Sequence, residues 1–421
     1  MQKTFLVLAL LVVISCQYGR HFGGFKFGKH DKNHTHPYWR RNETHPFPDH
    51  FPDHFPNHRH NRTEPHPPHR HNRTEPLPPH HNKTEPLPPH RHNRTEPHHE
   101  HDHHHPKNET TNNHNSFHQK QKKIAQEVNN MHTTWKAAEY EKDYTPLLGA
   151  ILNGGEKLPP KVYDSSSNDD LPDNFDLREQ YPNCESIKEI RDQANCGSCW
   201  AFGAAEAMSD RVCIASGQTD QRRVSAQNLL TCCSSCGYGC NGGYPSSAWS
   251  YWKNTGIVTG GLYGDKTTCQ PYFLPMCDHH IEGSHGTCPD TVDTPSCVKN
   301  CDDGNKGDYT SDLIKASSAY SVSGEANIMK DIYNNGSVEA SFTVYDDFVT
   351  YKSGIYQHVT GSYLGGHAIK MIGWGVEDGV KYWLCVNSWN DEWGENGLFR
   401  ILRGSNECGI ERSVNAGLPK L

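Results

Sequence analysis

The region from Leu171 to the C-terminus predicts an α+β fold of two packed lobes. Residues 199–212 contain few helix breakers and carry their apolar side chains on one stripe, which indicates a helix. Short alternating runs separated by glycines are typical of strands, and they follow at residues 345–356, 367–374, 382–386 and 397–402. Helices followed by strands favour two unlike lobes, and the cleft between them is the natural functional site.

The N-terminal 116 residues differ from this region in composition. Residues 1–16 place a short positive start before an apolar run that is too short to span a bilayer, which is typical of a signal peptide. Residues 17–116 are rich in His, Pro and Asn and poor in apolar residues, so we expect them to be disordered. Because no later apolar stretch reaches ~20 residues, the sequence predicts an exported protein without a membrane span.

A repeat and a set of glycosylation sequons occupy the His-rich region. The unit His-Asn-Arg/Lys-Thr-Glu-Pro recurs at steps of ten or eleven residues. In an exported chain each sequon is a glycan acceptor; they lie at Asn33, Asn42, Asn61, Asn72, Asn82, Asn93, Asn108 and Asn335. Three interpretations of the region stay open: a solvating spacer, a weak ligand for zinc or copper, and a segment that becomes cationic in acid and adheres to anionic surfaces.

Residues 117–170 form a separate segment before the domain assigned to residues 171–421. Its apolar residues from Phe117 to Trp135 are spaced as one stripe of a helix. The segment has too few apolar companions for a core of its own, so this helix should dock on the following domain. The polar run at residues 165–170 is the predicted processing site.

Cysteines are concentrated in the C-terminal domain. Fifteen of the sixteen follow Asn183, a density typical of exported proteins with disulfides. The alternative is a zinc site formed by the closely spaced Cys232, Cys233, Cys236 and Cys240. The signal peptide favours disulfides because it implies an oxidising compartment. The formal net charge of −8 gives no reason to expect nucleic acid as a partner.

Cys199 lies where a loop containing glycine and serine enters the predicted helix. Unpaired backbone N–H groups and the positive end of the helix dipole favour a thiolate at this point. A histidine brought alongside would complete an ion pair and protonate the leaving amine of a peptide bond. A structural half-cystine is the alternative for the same residue.

Three motifs, in this order, resemble those of papain-like cysteine peptidases. They are Cys196-Gly197-Ser198-Cys199-Trp200, Gly365-Gly366-His367-Ala368-Ile369 and Val386-Asn387-Ser388-Trp389. The resemblance implies a papain-like fold with a helical left lobe and a β-barrel-like right lobe. It also implies that Cys199 is the nucleophile, His367 the base and Asn387 the residue that orients the imidazole.

Further roles follow from the same resemblance. Gln193 would donate to the oxyanion beside the backbone N–H of Cys199, and Trp389 would shield the His–Asn contact from water. The resemblance implies no cofactor and no metal in the peptidase domain. The implied partners of a monomeric enzyme are peptide and protein substrates and cystatin-type inhibitors, in a lysosome, an acidic vacuole or outside the cell. The competing hypothesis is a silent homologue that acts as a metal-binding or adhesive glycoprotein, but all four site residues are present.

A narrower resemblance, to the cathepsin B group, covers residues 117–421. His279 and His280 lie between Cys277 and Cys288, where that group has a loop over the primed end of the cleft. The resemblance implies that the paired histidines bind a substrate's C-terminal carboxylate, which adds dipeptidyl-carboxypeptidase to endopeptidase activity. Residues 117–170 correspond to a propeptide that crosses the cleft backwards and is released in acid.

Two clasps of this loop are implied by alignment. In the first clasp, Asp192 matches the acid that pairs with His279. In the second, His285 and Glu392 occupy the two positions at which the group usually pairs Arg with Asp. Arginine keeps its charge, whereas histidine in general titrates near pH ~6.5. We therefore expect carboxydipeptidase activity to fade toward neutral pH more than in relatives with Arg.

The resemblance also identifies the non-primed side of the cleft. Gly242 and Gly243 would offer backbone to an extended substrate. Ser413 occupies the base of the S2 pocket, where mammalian cathepsin B has Glu. We therefore expect the pocket to prefer apolar or aromatic P2 side chains over Arg.

Six disulfides are carried over from the same resemblance. They are Cys184–Cys213, Cys196–Cys240, Cys232–Cys297, Cys233–Cys236, Cys269–Cys301 and Cys277–Cys288. This scheme leaves Cys199, Cys385 and Cys408 unpaired, and Cys385 is expected to be a buried thiol.

Overall fold

A computed structural model describes residues 108–140, 143–164, 171–279, 283–290, 292–302 and 307–421, with side chains from residue 117 onward. The signal peptide, the His-rich region up to residue 107, the run 165–170 and His280 lie outside the described residues. So do the sequons from Asn33 to Asn93, and only the backbone is described at Asn108. In the described part, no helix has the length and apolar character needed to cross a membrane.

Helices and strands alternate unevenly along the described chain. The helices are α1 Asn108–Asn130, α2 Leu177–Gln180, α3 Glu185–Lys188, α4 Cys199–Ala215, α5 Ala226–Cys232, α6 Pro245–Asn254, α7 Tyr309–Asp312 and α8 Glu325–Asn335. The strands are β1 Trp135–Ala137, β2 Phe175–Asp176, β3 Ala316–Val322, β4 Val338–Tyr345, β5 Tyr351–Tyr356, β6 Tyr363–Glu377, β7 Val380–Val386, β8 Leu398–Leu402 and β9 Ser413–Pro419.

Helix α4 is buried along almost its whole length. It begins at Cys199, as the sequence predicts, and every side chain from its start to Cys213 is buried. Gly203 allows it to approach strand β6, since a Cβ at this residue would lie 3.2 Å from the backbone nitrogen of Ile369. The helix therefore needs no polar face toward solvent, and its buried Asp210 and Arg211 pair with Lys370 and Asp331.

The strands form one open path rather than a barrel. Their order is β1-β5-β8-β7-β6-β4-β9-β3, with β2 paired to β6. The pairs are antiparallel except for β5 and β8. The expectation of a β-barrel-like lobe is therefore corrected: β1 and β3 lie at opposite ends of the path, so the sheet does not close.

The run 345–356, predicted as one strand, is divided by a turn. Strand β4 ends at Tyr345, a short 3-10 helix covers Phe348–Thr350, and β5 follows. The carboxylate of Asp346 accepts a hydrogen bond from the Ser362 backbone, and that of Asp347 accepts one from the Val359 backbone. These side-chain contacts hold the chain in a turn that strand propensity alone does not reveal.

The predicted N-terminal stripe belongs to two elements instead of one helix. Helix α1 begins at Asn108, inside the region expected to be disordered, and ends at Asn130. The Asn129 side chain exchanges two hydrogen bonds with the backbone of Ala137, at 2.9 and 3.0 Å, which stabilises the return of the chain after the helix. Trp135 therefore lies in strand β1, where its indole donates to the carbonyl of Gln357.

The segment before residue 171 adds backbone to both ends of the sheet. At one end, β1 pairs antiparallel with β5. At the other end, the backbone N–H of Ser321 in β3 donates to Pro159, and that of Lys161 donates back to Ser321, at 3.0 and 2.8 Å. Residues 108–164 are thus integrated into the fold through edge-strand pairing.

Candidate active site

Cys199 is the first residue of helix α4, and its side chain is buried and not part of a disulfide. Its sulfur accepts a hydrogen bond of 3.2 Å from the backbone N–H of Gly149. A second backbone N–H, that of Ala368, also donates to it. Because Ala368 directly follows His367 in strand β6, the helix start and the histidine motif lie side by side.

His367 is oriented by Asn387. Its Nε2 atom lies 2.7 Å from Oδ1 of Asn387, which follows the last residue of β7. An amide oxygen can only accept, so Nε2 carries the proton and Nδ1 is the basic nitrogen. Nδ1 is buried and has no hydrogen-bond partner among the described residues. The ring of Trp389 lies 4.8 Å from the imidazole, centroid to centroid, and covers the contact.

Burial keeps both reactive groups neutral in this form of the protein. It raises the pKa of the Cys199 thiol to about 12, against the lowering effect of the N–H groups of Ala368 and Gly149. It also lowers the pKa of His367 to about 4. The thiolate expected from the sequence stays a prediction for the form without the N-terminal segment, because in the described form Gly149 of that segment contacts the sulfur.

Gln193 contacts that same segment. Its Nε2 donates to the carbonyl oxygens of Leu147 and Cys196, each at 2.8 Å. Its Oε1 accepts from the Ser388 hydroxyl at 2.8 Å, which fixes the amide orientation. The side-chain donor predicted to serve an oxyanion is thus present beside Cys199, and a carbonyl of the N-terminal segment occupies it.

Residues 149–151 run through the cleft in contact with Gly243. The N–H of Gly243 donates to Gly149, and the N–H of Ile151 donates to Gly243, both at 2.8 Å. The bridge between Ala150 and Gly243 is parallel. A Cβ at Gly243 would lie 2.5 Å from the ring of Trp200, so only glycine leaves its backbone free for this pairing.

The loop closed by Cys277 and Cys288 is held by Asp192. Nε2 of His279 lies 2.6 Å from Oδ1 of Asp192, and both side chains are buried. The other carboxylate oxygen accepts from the backbone N–H of Cys277 at 3.0 Å. The expected Asp192–His279 contact is therefore observed as a buried pair.

The second clasp differs from the expectation. Nε2 of His285 lies 3.2 Å from Oδ1 of Asp391, not from Glu392. The Glu392 carboxylate is taken by Ser284, whose backbone N–H and hydroxyl donate to it at 3.0 and 3.2 Å. The Asp278 carboxylate accepts a hydrogen bond of 2.8 Å from the backbone N–H of His285, which fixes the backbone that carries the imidazole. The pairing with Glu392 is corrected to a pairing with Asp391.

The observed disulfides join the same six pairs that the resemblance implied, namely Cys184–Cys213, Cys196–Cys240, Cys232–Cys297, Cys233–Cys236, Cys269–Cys301 and Cys277–Cys288. The closely spaced cysteines 232–240 are therefore bridged and cannot serve as thiolate ligands. The same holds for Cys277 and Cys288, although His279 lies beside them. Cys385 is buried and Cys408 is half-buried.

Other predicted residues lie farther along the cleft. Ser413 lines a cavity of about 580 Å³ together with Leu152 of the N-terminal segment. Gly242 has a φ of +107°, and a Cβ there would lie 3.0 Å from the carbonyl oxygen of Gly149. A different kind of predicted site, the glycan acceptor Asn335, is the last residue of helix α8. Its amide nitrogen donates to the hydroxyl of Tyr163 at 2.8 Å.

Sequence reasoning missed three contributors to this site. Leu147 and Gly149 contact Gln193 and Cys199 through backbone atoms only, so no side-chain pattern marks them. The Tyr272 hydroxyl donates to the carbonyl of Gln193 at 2.9 Å from a loop remote in sequence. No signal in a single sequence identifies such backbone contacts.

A buried cysteine at a helix start, beside a histidine fixed by an asparagine amide, defines a cysteine peptidase of the papain type. Residues 171–418 match the model of the papain family cysteine proteases, and the chain belongs to this family.

Its relatives narrow the likeness to cathepsin B. The chain is 48% identical to a cathepsin B-like cysteine proteinase of Schistosoma japonicum, over 68% of this chain and 86% of that protein. It is 52% identical to cathepsin B-like cysteine proteinase 6 of Caenorhabditis elegans, over 60% and 68%. The structure of procathepsin B S9 from Trypanosoma congolense is similar with a TM-score of 0.61 and 37% identity, over 71% of this chain and 98% of that chain. The described form is that of a zymogen.

Proposed function

We propose that the mature enzyme is both an endopeptidase and a dipeptidyl-carboxypeptidase. The observation that supports this most directly is the buried His279–Asp192 pair, which ties the disulfide-closed loop to the residue directly before Gln193. A loop that closes one end of a cleft limits how many substrate residues fit beyond the cleaved bond. Adjacent imidazoles on that loop are suited to bind the terminal carboxylate.

The chemistry proceeds from the residues around Cys199. Once the N-terminal segment leaves, water and substrate reach the sulfur, and a proton moves to Nδ1 of His367. The thiolate then attacks the peptide carbonyl carbon, while Gln193 and the Cys199 N–H donate to the developing oxyanion. His367 gives its proton to the leaving amine, and water hydrolyses the resulting thioester.

The roles on either side of this centre are part of the proposal. On the primed side, Asp192 holds His279 in place, and His280 is the main ligand of the substrate carboxylate. On the non-primed side, Gly242 and Gly243 pair with the substrate backbone, and Ser413 leaves the S2 pocket without an acid. We propose apolar or aromatic P2 residues as preferred and a route through the secretory pathway to an acidic or extracellular compartment.

The test compares one peptide with a free and with an amidated C-terminus at acid pH, using acid-processed protein. We expect dipeptide release from the free form and strongly reduced release from the amide. A Cys199→Ala variant is the control and should cleave neither. Equal rates for both peptides would contradict the carboxydipeptidase proposal while leaving the peptidase intact.

A further inference from the structure

Two cavities flank Ser413 on the non-primed side of the cleft. The larger, of about 580 Å³, is lined by residues that include Phe342, Gly366, Cys408 and Arg412. The smaller, of about 150 Å³, includes Pro245, and Arg412 and Ser413 line both. Residues 151–152 also line both cavities. They belong to the N-terminal segment, residues 117–170, which we call the pro-segment, so its removal opens the cavities to substrate.

Arg412 is the charged side chain among the residues that line these two cavities. It is exposed, and no described residue forms an ion pair or a side-chain hydrogen bond with it. Its guanidinium lies over Gly409, because a Cβ on that glycine would be 3.6 Å from Nη2. The turn through Cys408, with a φ of 50°, brings it to this place.

The carboxylates of Glu411, next to Arg412 in sequence, and of Glu339, two residues before the cavity-lining Ser341, have other partners. Glu411 is buried and accepts from the indole of Trp383 at 3.0 Å and from backbone N–H groups. Glu339 is fully buried, and its Oε2 accepts from the Trp249 indole at 2.7 Å. Burial raises the pKa of Glu339 well above its ordinary value, which disfavours its charged form.

We infer that Arg412 makes the P2 subsite accept acidic side chains. The inference rests on the proposed function and deepens it. The acid that mammalian cathepsin B carries at the pocket base is replaced here by Ser413, and the adjacent residue is a cation without a partner. An extended substrate on Gly243 directs its P2 side chain toward this cavity, where a carboxylate meets Arg412 and a P2 arginine is repelled.

The test measures kcat/KM for three dipeptidyl coumarylamides that share Arg at P1 and carry Phe, Glu or Arg at P2. We expect Arg412→Gln to lower the value for Glu at P2 about fivefold and to leave that for Phe within about twofold. Arg412→Lys should retain most of the Glu activity, and Arg412→Glu should raise activity on P2 Arg. Added salt should weaken the preference in the wild type.

Lys352→Gln provides a matched control, since this exposed lysine on β5 lines neither cavity and should change none of the three values. If the P2 Phe substrate is cleaved but kcat/KM for the P2 Glu substrate is the same in the wild type and the Arg412 variants, the inference about Arg412 is overturned and the proposed function stands. Failure to cleave any substrate contradicts the proposed function instead.

Discussion

The side-chain amide of Gln193 donates a 2.8 Å hydrogen bond to the carbonyl oxygen of Leu147. The donor that would stabilise an oxyanion is thereby occupied by the protein's own pro-segment. Two residues later the backbone N–H of Gly149 caps the Cys199 sulfur. In the zymogen the pro-segment thus occupies, with its backbone atoms, the hydrogen-bonding groups proposed for catalysis.

When Cys199 cannot supply the proton, release of the pro-segment should take up a proton from solvent at His367. Burial lowers the pKa of His367 to about 4 in the zymogen, whereas an exposed imidazole has a pKa of about 6.5. The pro-segment therefore binds most tightly above pH ~6.5, where His367 is neutral with and without it. As pH falls toward 4, binding weakens by up to about 3 kcal/mol, because only the form without the pro-segment takes up the proton.

The measurement is the affinity of a separate peptide of residues 117–164 for mature Cys199→Ala protein, followed by fluorescence because activity is lost. It should weaken about tenfold per pH unit between pH ~6.5 and ~4.5. In the double variant Cys199→Ala/His367→Ala, the slope should be shallower. An unchanged slope in that variant would assign the titration to another group.

Trp135 should be a principal anchor of the pro-segment. Its side chain is 1% exposed and packs against Tyr356 with ring centroids 5.1 Å apart. We expect Trp135→Ala to weaken pro-segment binding by about 3 kcal/mol, roughly a hundredfold. Lys122→Ala is the control on the same segment: its ion pair with Glu139 is exposed and should contribute little. Inhibition constants of the two variant peptides distinguish the cases, and similar losses would argue against a localised anchor.

We expect Asn335 to carry no glycan in the folded zymogen, although it lies in a sequon. The nitrogen to which a sugar would attach donates to Tyr163 and to Asp331, at 2.8 and 3.1 Å. A glycan there would displace the pro-segment residue Tyr163. Peptide mass spectrometry of secreted zymogen should show unmodified Asn335. A fully occupied site in a latent zymogen would disprove this expectation.

His285→Arg should extend carboxydipeptidase activity toward neutral pH. The clasp joins His285 to Asp391 at 3.2 Å, and arginine would keep its charge where histidine in general loses it. Asp391→Asn should weaken the clasp both in the wild type and in His285→Arg. Endopeptidase activity on an amidated substrate serves as the internal reference in each pH profile. A carboxydipeptidase profile that is the same in the wild type and in His285→Arg would refute the role of the clasp.

The helix start at Cys199 and the contact between His367 and Asn387 were predictable because their motifs are local. Cys199 begins the predicted helix, and its motif, with those of His367 and Asn387, has the order typical of papain-like peptidases. The partner of His285 was not predictable, because Asp391 and Glu392 are adjacent in sequence. Only the hydrogen bonds from Ser284 to Glu392 leave Asp391 as the nearer carboxylate.

The amino-acid sequence by itself determined the chemical groups of this enzyme and the helix on which the sulfur lies, because covalent neighbours and local propensity specify them. The tertiary structure alone decided their state. Burial beneath residues 147–151 keeps Cys199 and His367 neutral, and the carbonyl of Leu147 occupies Gln193. Protonation and hydrogen-bond partners depend on which distant segments exclude water from a site, and that is a property of the folded chain.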